Sequence, residues 1–336
     1  MATDISPETL IKDIFSISTP KQFEEIAGRV FHFQYQNNLL YRAYCDTLHT
    51  DPNKISRIDQ IPFLPIHFFK THEIKTKLFT ESLLFESSGT TDSIPSRHFV
   101  KDALLYKESF QKGFEYFYGP ASSYCILALL PSYLERGNSS LVYMADALIK
   151  SSTDHRGGFF LNEFEKLHHI LLENESEKIP TLLLGVTYAM LDFFEAFPTP
   201  LKHTIVMETG GMKGRRKELL REEVHQILKQ KTGLTVIHSE YGMTELLSQA
   251  YSKKDGLFHS PPWLKMLVRP EDDPMAVSTS GSGAVNIIDL ANLYSCSFIA
   301  TDDAGSVFED GSFEITGRLD HTDMRGCSLM VSIQNK

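Results

Sequence analysis

The sequence lacks most of the signals that would place it outside the ordinary globular proteins. Its 336 residues include only four cysteines, with no CxxC pair and no HExxH or GxSxG motif. A disulfide framework, a zinc ribbon, a zinc peptidase and a serine hydrolase are therefore unsupported. No apolar run approaches the roughly 18 residues of a membrane span, and the first residues are not a signal peptide. We expect a cytoplasmic protein without a membrane span.

Basic residues are fewer than acidic residues in this chain, with 33 Lys and Arg against 43 Asp and Glu. The formal net charge is -10 and the pI is near 5.7. This balance argues against a general nucleic-acid binder or a membrane-surface binder, because both need basic surfaces. With 42% hydrophobic and 23% charged residues, the composition is that of a globular protein with one large or two medium domains.

Segments typical of strands and of helices alternate along the middle of the chain. Short apolar runs such as TLLLGV predict buried strands, and each is followed by apolar residues at helical spacing. The alternation predicts an α/β fold with a mostly parallel sheet, whose ligands bind at the carboxyl ends of the strands. Helices are predicted over 1–50, 102–117, 139–150 (capped by Asn138), 186–194 and 213–231, and from MTELLSQAY onward. Strands are predicted over 78–86, 124–131, 181–185, 203–209 and 234–242, and 61–70 is predicted to be extended or looped.

A loop rich in hydroxyl groups, FESSGTTDSIPSR, follows the first of these strands. Ser87, Ser88, Thr90 and Thr91 offer hydroxyl donors, and Gly89 permits a tight turn that exposes backbone N–H groups. Such a loop suits phosphate oxygens. It is not a Walker A loop, because GxxxxGK[ST] is absent. A plain surface turn is the alternative.

Three further stretches, HSEYGMTE, ATDDAG and ITGRLD, place polar groups near predicted strand ends and turns. Tyr241 offers a flat face for a base, Thr244 a hydroxyl, and Glu245 a carboxylate of the kind that Mg²⁺ prefers. Asp303 can accept hydrogen bonds from ribose hydroxyls, and Arg318 can approach a sugar or a phosphate. The alternative for each is ordinary turn chemistry, with a solvated Glu245 and a surface salt bridge.

The order SSGTT, YGMTE, TDD and GRLD resembles the adenylate-forming superfamily of acyl-CoA synthetases. The resemblance implies that ATP and Mg²⁺ convert a carboxylic acid into an acyl-adenylate with release of pyrophosphate. It also implies roles for individual residues: Ser87, Ser88, Gly89, Thr90 and Thr91 at the phosphates, Gly210, Gly211 and Tyr241 at adenine, Thr244 and Glu245 at phosphate and Mg²⁺, Asp303 and Arg318 at ribose, and Gly185 and Tyr188 at the acyl pocket. Asp92 departs from the pattern, since a glycine is usual there, and Arg97 is a candidate cation for the phosphate charge.

Over its whole length the chain is similar to the LuxE-type acyl-protein synthetases. This resemblance implies the N-terminal-type fold of adenylate-forming enzymes, doubly wound with a small β-rich subdomain and lacking the large C-terminal domain. The expected division is an N-terminal helical and extended region (1–77), a nucleotide-binding α/β region (78–254) and a β-rich subdomain (255–336).

Cys327, in the C-terminal segment RGCSLMV, falls at the cysteine that carries the acyl group in that family. The implied acceptor is a partner protein, such as a reductase or an acyl carrier protein, or CoA. The neighbouring Arg325 favours a thiolate, whereas the alternation of Cys327, Leu329 and Val331 is typical of a buried strand face. Direct transfer to a carrier thiol, or a degenerate nucleotide-binding scaffold, stay open as alternatives. Cys45, Cys125 and Cys296 are expected to be structural.

Overall fold

The computed structural model describes residues 6–87, 94–131, 137–210 and 219–319. Its α-helices are Pro7–Ile14 (α1), Pro20–Asn37 (α2), Leu39–Thr47 (α3), Phe68–Thr71 (α4), Ala103–Tyr118 (α5), Ser140–Ser151 (α6), Phe164–Glu177 (α7), Thr187–Ala196 (α8) and Arg221–Thr232 (α9). Its strands are Leu64–Pro65 (β1), Leu83–Glu86 (β2), Arg97–Val100 (β3), Cys125–Leu129 (β4), Gly158–Phe159 (β5), Thr181–Val186 (β6), Thr204–Thr209 (β7), His238–Tyr241 (β8), Ala250–Ser252 (β9), Phe258–His259 (β10), Leu264–Arg269 (β11), Gly281–Asp289 (β12), Phe298–Val307 (β13) and Phe313–Arg318 (β14).

One large sheet organises these elements. Strands β5, β4, β6, β7 and β8 lie side by side and are parallel, with β4 and β6 buried along their whole length. The predicted parallel sheet with intervening helices is therefore confirmed. From β8 the sheet continues through the antiparallel strands β9, β10, β14, β13, β12 and β11. Strands of nine and ten residues, β12 and β13, replace the short strands predicted after residue 255.

Local sequence explains why the longest helix begins where it does. The Thr19 side chain accepts from the Gln22 N–H, and the Gln22 side chain reaches back to Thr19, which forms a capping box. The same helix, α2, buries Phe23, Val30 and other apolar residues at helical spacing. The predicted helical character of the first fifty residues is thus confirmed as three helices. The boundaries at residues 77 and 254 stay a prediction.

Two of the sequence predictions about helix starts need correction. Helix α6 is capped by Ser139, whose side chain accepts from the Val142 N–H. Asn138, the predicted cap, instead donates to the Glu86 carboxylate at 2.6 Å. Helix α9 begins at Arg221 and residues 219–220 are not helical, although the prediction ran from 213 to 231. Residues 213–218 lie outside the described ranges.

The segment MTELLSQAY is not a helix, contrary to the prediction. Residues 242–249 form turns and lead into β9. The buried Asp289 carboxylate accepts from the N–H groups of Leu247 and Ser248 at 2.7 and 3.0 Å, and from the Ser248 hydroxyl at 2.6 Å. Helical periodicity is overridden here because a distant side chain satisfies the backbone donors that a helix would have used internally.

Candidate functional site

Strand pairing brings three of the predicted site residues into contact. Tyr241, at the end of β8, donates its hydroxyl hydrogen to Asp303 Oδ2 at 2.7 Å. Arg318 Nε lies 3.5 Å from Asp303 Oδ1, and the two residues are register partners in β13 and β14. Asp303 and Arg318 therefore lie within strands, whereas ATDDAG and ITGRLD were predicted to lie near strand ends and turns. The fold thus brings a ring, a carboxylate and a guanidinium together.

The environment of this trio constrains its chemistry. Tyr241 is 9% exposed, and the rings of Phe258 and Phe313 lie with their centroids 6.0 and 5.7 Å from its own. Burial raises the pKa of Asp303, while the hydrogen bond from Tyr241 and the charge of Arg318 oppose that rise. The carboxylate keeps lone pairs beyond the one that Tyr241 uses, so it can accept from the hydroxyl groups of a sugar.

Glu245 lies close enough to Asp303 and Arg318 for their charges to affect its pKa. Its carboxyl is buried, which raises its pKa, and the Ser96 side chain opposes that rise by hydrogen bonding. The charges of Arg318 and Asp303 act on it in opposite directions. Thr244, the residue before it, lies in the same turn. A single buried carboxylate of this kind suits Mg²⁺, because that ion is usually bound by one or two carboxylates together with substrate phosphates.

Ser96 connects Glu245 to the hydroxyl-rich loop. The Ser96 N–H donates to Ser87 Oγ at 2.9 Å, and the Ser87 N–H donates to the Ser96 carbonyl at 3.0 Å. The described end of that loop therefore lies beside the Glu245 turn. The other predicted phosphate ligands, Ser88, Gly89, Thr90 and Thr91, lie outside the described residues, as does Asp92.

Arg97 lies next to Ser96 at the start of β3. Its guanidinium carbon is 5.5 Å from the centroid of the Phe99 ring, and its backbone pairs with Glu86 in the β2–β3 hairpin. Arg97 is the first residue of the strand that follows the hydroxyl-rich loop. Its neighbour in sequence, Ser96, is hydrogen-bonded to Ser87, so Arg97 lies close to that end of the loop. Its role toward phosphate stays a prediction.

The structure explains why glycine is present at two of the positions predicted to line the adenine and acyl sites. Gly210 follows β7 with φ of 66°, a left-handed conformation that favours glycine. A Cβ at Gly185, in β6, would lie 2.6 Å from the Leu129 Cβ and 2.9 Å from the Met190 Cε, so close packing requires glycine there. Tyr188 is buried in the first turn of α8. Gly211 lies outside the described residues, and the acyl-pocket role of Gly185 and Tyr188 stays a prediction.

Sequence reasoning missed a buried ionic cluster at the end of β7. Burial raises the pKa of Glu208, but contacts from His225 and Arg221 lower it below its ordinary value. Glu208 Oε1 lies 3.3 Å from Arg221 Nε and 3.6 Å from His225 Nε2. The Ser239 hydroxyl lies 3.2 Å from the same His225 nitrogen, so the set is not a hydrolase-type relay, which needs both ring nitrogens.

A second missed acid, Glu240, lies on the neighbouring strand. It is buried, and burial together with the charge of Glu208 raises its pKa to about 7, against an opposing hydrogen bond from Thr209. A Cβ on Gly242 would lie 2.5 Å from Glu240 Oε1, so any larger residue at position 242 would displace the carboxyl. The local pattern HSEYG gave no sign of this burial.

Glu240 should make the stability of the protein depend on pH. Between its ordinary value of 4.5 and about 7, the folded protein holds a proton on Glu240 that the unfolded chain releases. Stability therefore falls as pH rises through this window. Glu240→Gln removes the titrating group, and we expect the loss of unfolding free energy between about pH 5 and about pH 8 to shrink by on the order of 3 kcal/mol.

Urea unfolding at the two pH values measures this change. Glu222→Gln, at an exposed glutamate of α9, is the control and should keep the wild-type pH dependence. An unchanged pH dependence in Glu240→Gln would show that Glu240 is ionised in the folded protein throughout the window.

The three described cysteines are unsuited to nucleophilic catalysis. All are buried, and burial raises the pKa of Cys45 to about 12, that of Cys125 to about 11, and that of Cys296 still further above its ordinary value. Their predicted structural role agrees with this burial. Cys327 lies outside the described residues, so its acylation stays a prediction.

The described residues were compared with the patterns of metal sites and membrane-spanning helices. Within the described ranges, no cluster of three or more His, Cys, Asp or Glu side chains could bind a metal by itself. A metal at Glu245 would therefore need ligands from the substrate or from water. No helix in the described part of the chain has both the length and the apolar character that crossing a membrane requires.

Comparison with known proteins gives matches over nearly the whole chain. The sequence model of the family described as "Acyl-protein synthetase, LuxE" matches residues 19–335. The long-chain-fatty-acid–luciferin-component ligase of Aliivibrio fischeri is 23% identical over 354 aligned positions, which cover 96% of this chain and 93% of the relative.

Solved structures also resemble this fold. ATP-bound MatB from Rhodopseudomonas palustris superposes with a TM-score of 0.53 at 17% identity, over 72% of this chain and 49% of that one. O-succinylbenzoate coenzyme A synthetase (MenE) from Bacillus subtilis, in complex with ATP and magnesium ion, gives 0.51 at 14% identity, over 74% and 52%. The chain thus spans about half the length of these structures. Their likeness confirms the predicted α/β fold of the adenylate-forming type.

Proposed function

The chain belongs to the acyl-protein synthetase (LuxE) family, and on that premise we propose that it is an acid–thiol ligase that activates a fatty acid with ATP. The acyl group passes from acyl-AMP to Cys327 and then to a partner protein or a carrier thiol. The observation that carries the proposal is the convergence of Tyr241, Asp303 and Glu245 beside the described end of the hydroxyl-rich loop. A base, a ribose and a metal-bound phosphate need these groups in this order.

The nucleotide is held by the chain's own side chains. The Tyr241 ring provides the face for adenine, and Asp303 accepts from the ribose hydroxyls while Arg318 balances its charge. Mg²⁺, bound through Glu245 and the phosphates, offsets phosphate charge. The backbone and hydroxyl donors of the loop that begins at Ser87 orient the phosphate chain.

Two displacement steps place the acyl group on Cys327, and the acceptor thiolate then attacks the thioester, which releases the Cys327 thiolate. The fatty-acid carboxylate attacks the α-phosphorus of ATP, which forms a C–O–P bond and expels pyrophosphate. The Cys327 thiolate then attacks the acyl carbonyl, which forms a thioester and releases AMP. The thiol gives its proton to solvent before the attack, and the charge of Arg325 favours the resulting thiolate. Arg97 is the described cation nearest in sequence to the loop, and it is proposed to offset developing phosphate charge.

A panel of carboxylic acids tests this function. With MgATP and labelled pyrophosphate, we expect exchange of label into ATP only when an acid is present, and most strongly with long apolar acids. Apolar acids are favoured because LLLGVTYAML, around Gly185 and Tyr188, has no fixed cation for a second carboxylate.

Two outcomes would contradict the proposal. Exchange confined to small polar acids would remove the fatty-acid assignment. ATP binding without exchange under any acid would favour the alternative of a nucleotide-binding scaffold, to which Asp92 in the phosphate loop points because a carboxylate there repels phosphate. A thiol-trapping assay with CoA, run on the same panel, distinguishes direct transfer from a protein-bound intermediate.

A further inference from the structure

Two successive backbone carbonyls of the Thr244–Glu245 turn are held by buried side chains. The Thr244 carbonyl accepts from His98 Nδ1 at 2.8 Å, and the Glu245 carbonyl accepts from Asn292 Nδ2 at 2.7 Å. His98 and Asn292 are each 1% exposed. A turn whose carbonyls are bound in this way has little freedom to rotate. The two buried side chains therefore fix the backbone from which the Glu245 side chain projects.

The chemistry of the two donors is fixed by what surrounds them. Asn292 Nδ2 also donates to the Cys296 carbonyl at 2.9 Å, so its amide can only be oriented with nitrogen toward these two acceptors. His98 Nδ1 is the donor in its hydrogen bond with the Thr244 carbonyl, because a carbonyl oxygen can only accept. The other ring nitrogen, Nε2, lies 3.0 Å from a second acceptor, Asn292 Oδ1, so each His98 nitrogen faces an oxygen atom. Burial lowers the pKa of His98 to about 4, and both contacts oppose that shift.

The loop that carries Asn292 is itself fastened to the N-terminal helices. Gln34, a fully buried residue of α2, donates to the carbonyls of Asn292 and Leu293 at 3.0 Å and accepts from the Ser297 N–H at 3.0 Å. Asn38 donates to the Ser295 carbonyl at 3.0 Å. A continuous buried polar path therefore runs from α2 through the 290–297 loop to the turn that bears Glu245.

We propose that His98 and Asn292 are positioning residues for the nucleotide site, which aim the Glu245 carboxylate by holding the two carbonyls of its turn. The proposal rests on the proposed function, because it assigns a purpose to the orientation of Glu245. Neither residue touches substrate. A misplacement of about 1 Å at a group that binds the metal is enough to cost on the order of a hundredfold in rate.

Substitutions at His98 separate hydrogen bonding from packing. His98→Phe keeps a ring but removes the donor, and we expect the Mg²⁺ concentration for half-maximal exchange to rise about tenfold and the rate to fall about a hundredfold. His98→Gln restores an N–H donor toward Thr244 and should recover at least half of the lost rate. The KM for the acid should stay near the wild-type value in both variants, since the acid does not contact this turn in the proposed site.

A matched histidine controls for lost stability. His238 is half-buried, and burial likewise lowers its pKa to about 4, but its Nδ1 contacts the Tyr118 hydroxyl and not the turn. His238→Gln should lower the melting temperature without changing the Mg²⁺ dependence. If His98→Phe and His238→Gln both leave the Mg²⁺ dependence unchanged, the positioning role is wrong.

Calorimetric titration with MgATP, without acid, keeps this test independent of catalysis. We expect weaker MgATP binding by folded His98→Phe than by wild type, and restored binding by His98→Gln. Equal binding by all three proteins would overturn the inference while the proposed reaction stands. If the wild type binds MgATP but makes no acyl-AMP, the reaction assignment fails, and the binding series still decides the positioning role.

Discussion

Glu245→Gln is expected to reduce acid-dependent pyrophosphate exchange by about 10²- to 10³-fold, the scale on which removing one electrostatic contact of a transition state acts. The amide has nearly the same shape and can keep a hydrogen bond to Ser96, but it cannot supply the negative charge that holds Mg²⁺. Burial raises the pKa of Glu245, so neutralising it removes a desolvation cost and should not destabilise the fold. Exchange rates at saturating ATP and acid, with a melting curve for each protein, measure both effects.

Glu240→Gln provides the matched control for this prediction. Glu240, five residues before Glu245, is also buried. Its carboxyl, however, packs against Gly242 and accepts a hydrogen bond from Thr209. We expect it to keep most of the exchange activity. If Glu245→Gln turns over acid and ATP as the wild type does, Glu245 does not hold the metal.

Much of the fold could be predicted from the sequence because the relevant signals are local. The runs Cys125–Leu129 and Thr181–Val186 are short and continuously apolar, and both are buried strands of the parallel sheet. The turn after Tyr241 could not be predicted in this way. Its shape depends on Asp289, a residue more than forty positions away, and no local pattern records such a contact.

In the candidate site, too, the residues within local motifs could be predicted and the residues that act through distant contacts could not. The order of the four polar stretches indicated Tyr241, Asp303 and Arg318, and the structure brings these three together. The supporting residues His98 and Asn292 carry no motif, because their effect comes from the atoms they face in the fold and not from spacing in the chain. Glu240 was missed for a related reason, since a strand residue shows its burial only when both neighbouring layers are known.

Cys327 is expected to carry the acyl group, and its replacement should abolish covalent labelling altogether. Incubation with radiolabelled fatty acid and MgATP should label the wild-type protein, and neutral hydroxylamine should release the label, as it cleaves thioesters but not amides. Cys327→Ser should lose the label and keep pyrophosphate exchange, because acyl-AMP forms before the thiol attacks. The described cysteines are poor competitors, since burial raises the pKa of each of them.

Cys125→Ser is the appropriate control for removing a cysteine. The Asn174 side chain makes a hydrogen bond to the Cys125 sulfur, which a serine hydroxyl at this buried position can also accept, so the variant should fold. It should be labelled as the wild type is, because its sulfur has no part in acyl transfer. Normal labelling of Cys327→Ser, or a wild type that forms acyl-AMP and is never labelled, would leave Cys327 without a catalytic role. In the second case acyl-AMP would transfer directly to an external thiol, since the described cysteines are all buried and cannot replace Cys327.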